Sequence, residues 1–199
     1  GLSAAGALNF GALFLYIASA PAFVIDLLGL GERQFGWFFI PMIGGMMLGA
    51  WFSGRAAGRI DGARVAGIGF ACCGTAAVLN IGYNLLAQQP AIPWAVLPMS
   101  LNAFGVALVF PVVTLAILDM YPRQRGGASS MQAFIGLLLN AVIAGALSPL
   151  LSQRGLHLAC GAAAFAAAAW LVWRRELSCV AHRLRTSREA PALEPTDEL

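Results

Sequence analysis

Few side chains in this sequence could do chemistry, and they are scattered. Ser129 or Ser130 could act as a hydroxyl nucleophile and His157 as its base. Such a pair works only within hydrogen-bond reach. The serines follow Gly127-Ala128 without the closing glycine of a nucleophile elbow. On the span order derived below they sit ~30 Å from His157, at the far end of a membrane-crossing helix. The pattern argues against an enzyme. Cys72, Cys73, Cys160 and Cys179 show no metal-ligand spacing, so no metal or cofactor is implied. Adjacent cysteines rarely bridge each other, and these read as small packing hydrophobes.

Two other sets of residues remain. The first is polar: Tyr16, Ser19, Asn102 and Asn140 fall inside long apolar runs, with Phe14, Phe104 and Phe110 nearby. An amide or hydroxyl surrounded by lipid needs a partner. Interhelical bonding would supply one, and a passing ligand would supply another. A small-molecule cavity is mostly apolar with a few orienting polar groups, which makes Tyr16, Ser19, Asn102 and Phe104 the substrate-cavity candidates. Pro21 and Pro111 are candidate hinges, or else static kinks. The second set is a basic loop, Gly54 to Arg64, in which Arg55, Arg59 and Arg64 crowd around Asp61. Gly54, Gly58, Arg59, Asp61 and Arg64 are its candidate gate residues. Gly54 and Gly58 are four apart, so on a helical turn they would admit a close backbone.

The elements that position these residues follow from composition. Of 199 residues 59% are hydrophobic and 11% charged, with a mean hydropathy of +0.77. A soluble domain carries roughly a quarter charged residues. The chain is therefore an integral membrane protein. Its runs are too long and too uniformly apolar to alternate as barrel strands do, which predicts an all-α polytopic protein. Six spans are expected, over about 4–28, 34–54, 64–86, 93–120, 128–151 and 156–173. Gln88, Gln89, Pro90 and Pro93 divide the third from the fourth. Gly45-x-x-x-Gly49 supplies a close-packing face on the second. A charged tail, 176–199, follows, with disorder expected after Ser187.

Every basic residue is arginine, and none forms an aromatic-interleaved patch for nucleic acid. Ten arginines fall on one side of the predicted spans and two, Arg33 and Arg154, on the other. That imbalance places both termini in the cytoplasm. Trp37, Trp94 and Trp173 lie near span ends, as interfacial aromatics do. Asn9-Phe10-Gly11 in the first helix and Asn102-x-Phe104-Gly105 in the fourth hint at two three-helix repeats, inverted because three is odd. There is no signal-peptide pattern, and the chain opens at Gly1 in a hydrophobic run, which suggests a fragment or a processed chain.

The Gly54–Arg64 loop resembles the cytoplasmic signature of the major facilitator superfamily, in the degenerate form found between that family's eighth and ninth helices. Tyr16 with Pro21, Phe35-Gly36-Trp37, Pro111 with Thr114, and Pro122 with Arg125, Gly126, Ala128, Ser129 and Ser130 resemble the second half of its Bcr/CflA drug-efflux group. The resemblance covers about residues 5–175. It implies one six-helix half of a major-facilitator fold in the bacterial inner membrane, exporting small amphipathic drug-like compounds in exchange for protons. It also implies a missing N-terminal six-helix half. No acid or base lies deep in any predicted span, so the proton carrier is expected in that other half. A carrier of another metabolite, or a non-transporting fragment, are the alternatives.

Overall fold

With no water in the bilayer core, an apolar chain must satisfy its backbone internally, and this one does so with helices. The computed structural model describes residues 1–29, 31, 34–86 and 94–189, with side chains through residue 178. Among them α1 is Leu2–Ala18, followed by a π-helical segment, Ala22–Leu27. α2 is Gly36–Ala56, α3 Gly62–Leu86 and α4 Leu97–Met120. α5 is Arg125–Val142, continued by a π-helical stretch, Ile143–Leu147, and a last turn, α6, Ser148–Leu151. α7 is Gly155–Glu189.

Five helical stretches among the described residues are long and apolar enough to cross a membrane: α2, α3, α4, Arg125–Leu151 and Gly155–Ser178. α1 is apolar but shorter, at 17 residues. The predicted first helix, 4–28, is interrupted because Pro21 has no N–H for the carbonyl of Ile17 and its ring crowds that carbonyl. Regular helix stops at Ala18, and the chain resumes in the wider π register, where the Leu28 amide donates to the Phe23 carbonyl (3.0 Å). Pro149 likewise cannot bond the carbonyl of Gly145, and a π-helical stretch precedes it. Pro111 lies inside α4 without interrupting it. At the other end, α7 runs on as helix to Glu189, past the apolar limit near 173, because no proline or glycine intervenes before Pro191. The turn expected over Gln88–Pro93 lies outside the described residues.

α4 is the hub, packing on α1, α2, α3 and α5. α1 also packs on α7 and α5, and α3 on α7, whereas α2 rests chiefly on α4. Lipid offers little hydrophobic drive for helix association, so close van der Waals contact must supply it. Gly45 and Gly49 let α2 meet the Ser100 and Phe104 carbonyls of α4, as the Gly-x-x-x-Gly spacing predicts. Gly69 and Gly105 do the same between α3 and α4: a β-carbon on Gly105 would lie 2.6 Å from the Gly69 carbonyl. At Gly54 and Gly58 the structure differs from the expectation of a close backbone, because open space surrounds both. Gly58 instead makes the turn, with φ of +74°, a left-handed conformation that suits glycine.

One core cluster joins Leu13, Leu15, Phe23, Phe38, Met99, Ile143 and Leu158, and a second joins Ala66, Phe70, Val109, Val113 and Trp173. Trp173 is thus a packing residue against Phe70 (ring centroids 6.0 Å), not an interfacial anchor. Trp37 and Trp94 are exposed, 60% and 65%, at the starts of their helices.

Candidate functional site: an uncharged groove between three helices

The four cavity candidates divide between the interior and the α2–α4 contact. Tyr16 is buried, and its hydroxyl accepts a hydrogen bond from Asn80 Nδ2 of α3 (2.6 Å). Asn84, one turn on, donates from Nδ2 to the Asn80 carbonyl (2.8 Å) and to Asn80 Oδ1 (3.0 Å). Ser19 Oγ bonds Ser148 Oγ (2.8 Å), which ties the break in α1 to the break in α5–α6. Asn102 is buried, and its backbone carbonyl faces the Cys73 thiol at 3.7 Å. Phe104 is half-buried against Phe52 of α2, with centroids 5.8 Å apart. Tyr16 and Asn102 share with Asn80 a cavity of only ≈10 Å³ between α1, α3, α4 and α7.

A larger opening lies elsewhere. A groove of ≈440 Å³ runs between α1, α4 and α5. Phe10, Phe110 and Leu137 give it apolar walls, and Thr114, Gln132 and Asn140 give it polar points. Phe10 stacks on Phe14 (6.1 Å) and meets Phe110 (6.3 Å), so the aromatic wall spans α1 and α4. Gln132 Nε2 donates to Thr114 Oγ1 (2.9 Å) and so pins α5 to α4. Gln132 and Asn140 are eight residues apart, two helical turns, and share a face. Asn140 Oδ1 is buried without a hydrogen-bond partner among the described residues. Leaving that acceptor unpaired costs ~1–3 kcal/mol, so a side-chain rotation that turned Oδ1 toward the groove would let it take an N–H or O–H donor from an entering molecule. Among the described residues no ionisable side chain lines the groove. α5 is the least covered of the membrane-length helices, and Gln132 is its one buried residue.

The basic loop forms a second opening. A cavity of ≈650 Å³ gathers Ser53, Gly54 and Gly58 with Leu115 and Asp119 of α4 and with Leu177 of α7. Arg59, Asp61 and Arg64 are exposed. The carbonyl of Asp61 accepts the amides of Arg64 (3.0 Å) and Val65 (3.2 Å), which starts α3. Arg125 pairs with Asp119 at 3.8 Å across the α4–α5 turn, with both side chains more than 60% exposed. An exposed pair like this contributes little. Ser129 Oγ donates to the Gly126 carbonyl (2.9 Å) in the first turns of α5, while His157 opens α7 beyond the far end of the same span. The two are separated by about 30 Å of helix.

Sequence reasoning missed Asn80, Asn84, Gln132 and Ser148. The i, i+4 spacing of Asn80 and Asn84 and the i, i+8 spacing of Gln132 and Asn140 were legible signals for shared faces.

A family description, Major Facilitator Superfamily, matches residues 2–194. No curated protein and no solved structure matches the chain. The match spans nearly all of the apolar helices that carry the groove and the basic loop. The chain belongs to the major facilitator superfamily and is a multi-pass membrane protein of that transporter family.

Proposed function

We propose that the chain is one six-helix half of a drug-efflux transporter of the Bcr/CflA kind, and that the α1–α4–α5 groove is its share of the substrate pathway. The observation that carries this reading is the groove itself: open, aromatic-walled, uncharged, with an orphaned Asn140 acceptor. That balance suits a small amphipathic compound. In this reading α1 and its π-helical extension form the first of six spans, grouped as two inverted three-helix repeats. A second six-helix half closes the groove and carries the proton-coupling group, since the groove residues offer none. Both termini face the cytoplasm of a bacterial inner membrane, on the arginine-rich side.

Within this scheme Tyr16 and Ser19 act behind the wall, holding α1 to α3 and α6, and Asn102 meets α3 at Cys73. Phe104 shapes the α2–α4 contact. Gly54, Gly58, Arg59, Asp61 and Arg64 form a cytoplasmic gate beside the ≈650 Å³ cavity, which the other half fills in one access state. Pro21 and Pro149, linked through Ser19 and Ser148, are the hinge pair; Pro111, inside an unbroken helix, is a weaker hinge candidate.

The test is substitution in the exporting protein. Asn140→Ala and Gln132→Leu should change which compounds are exported, with each lost contact worth ~1 kcal/mol, or about fivefold in selectivity. An equal loss for every compound, matched by lower protein level, would assign these residues to packing and the pathway to another face.

A further inference from the structure

We infer that the outer face between α3 and α7 holds one acyl chain of an anionic phospholipid, with the headgroup phosphate between Arg64 and Arg174. A groove of ≈470 Å³ runs there, floored by small residues: Gly67, Ala71 and Gly74 on α3, Ala163 and Ala167 on α7. Trp170 lines the same end as Gly67. The two helices are antiparallel, so the groove runs from Gly67 and Trp170 at one end to Ala77 and Ala163 at the other.

Helical register then sets the chemistry of the mouth. On α3, residues 64, 67, 71 and 74 fall on one face, and on α7 so do 163, 167, 170 and 174. Each small-residue stripe therefore ends in an arginine at the same end of the groove. Arg174 lies over the Trp170 ring at 4.9 Å, which holds the guanidinium at the mouth while its edge N–H groups stay available. Arg64 is exposed three residues before Gly67. The ion pair found among the described residues, Arg125–Asp119, uses neither of them. Two acids lie nearby: Asp61 precedes Arg64 in the loop, and Glu176 sits beside Gly1.

The depth fits one lipid leaflet. From Gly67 to Ala77 the groove covers ten residues, ~15 Å of helix. That is half of a ~30 Å hydrocarbon core. An acyl chain entering at the arginine end would reach the midplane where the groove ends. The paired cations select an anionic headgroup over a zwitterionic one, at a membrane surface where basic side chains already favour acidic lipids. Small-residue stripes also suit helix docking, so a second copy of this chain is the competing occupant.

The experiment is native mass spectrometry of the detergent-purified protein titrated with phosphatidylglycerol and, separately, phosphatidylcholine. One phosphatidylglycerol should be retained in preference to phosphatidylcholine. Arg64→Gln with Arg174→Gln should reduce that preference roughly 30-fold, at about 1 kcal/mol per arginine. Gly74→Leu should abolish retention of both lipids, and because nothing lies within 4 Å of a β-carbon at Gly74 the fold should be kept. Size-exclusion elution checks that each variant is folded, and the arginine pair, being exposed, keeps the test valid if Gly74→Leu fails. Equal retention of the two lipids by the unaltered protein, or unchanged preference in the double arginine variant, would overturn the inference. So would a dimer that Gly74→Leu dissociates.

Discussion

Replacing Gly49 by alanine adds one methyl group to α2 at one of the two close points of its seat on α4. That carbon would lie 2.5 Å from the Phe104 carbonyl oxygen and 2.8 Å from the Ala107 β-carbon. Real β-carbons keep at least 3.0 Å, so the helices must part by about 0.5 Å. Neither neighbour can swing aside, because one is backbone and the other is a β-carbon fixed to it. A radial gap of 0.5–1 Å forfeits a quarter to a half of each dispersion contact along the seam. Overpacking of this kind costs ~1–3 kcal/mol. α2 rests chiefly on α4, so no second interface absorbs the shift. Gly44→Ala is the matched control, since a β-carbon there meets nothing within 4 Å. In water either change would gain ~1 kcal/mol of helix propensity. A helix already formed in lipid gains less, so Gly44→Ala should stay within ~0.5 kcal/mol of the parent. At roughly 2–4 °C per kcal/mol, Gly49→Ala should melt about 2–12 °C lower and Gly44→Ala about where the parent does. Heating in detergent followed by size-exclusion of the folded fraction reads the difference. If the two variants melted together, the glycine seat would not be what holds α2.

Two further outcomes follow from the same packing. Tyr16→Phe leaves the Asn80 amide without its acceptor, at ~1 kcal/mol, and should lower protein level while leaving the ratio of exported compounds unchanged; an altered ratio at normal level would return Tyr16 to the substrate wall. Arg59→Ala and Asp61→Ala touch exposed side chains, so folded yield should hold while export falls roughly fivefold or more, and export unchanged at normal yield would remove the gate from the account.

How much the sequence revealed varies with the range of the interactions. Span existence was legible because it depends on local hydropathy and on prolines and loop charges. The close seat at Gly45 and Gly49 was legible because small residues four apart serve one purpose in lipid. The break at Pro21 was visible as a proline but not as a π-helical segment, since that register depends on where the freed carbonyls find donors. Tyr16, Ser19 and Asn102 could be flagged as polar groups needing partners. Which partner each finds is a long-range fact: Asn80 lies 64 residues from Tyr16, and Ser148 lies 129 from Ser19. Gln132 and Asn140 went unmarked as a pair because only Asn140 was weighed, and that singly. Only the packing of α1 and α4 against α5 turns their shared face toward a groove.

The central claim is that substrate passes along the α1–α4–α5 groove. Single cysteines placed at Gly136 in the groove and at Gly74 outside it test this most directly, in a variant whose native cysteines are replaced. Neither site crowds a β-carbon, so both should fold. Thiol labelling would be timed in membranes with and without an exported compound. The account predicts that the compound slows labelling at residue 136 and leaves residue 74 unaffected. Labelling at residue 136 that proceeds at the same rate with saturating compound would contradict it.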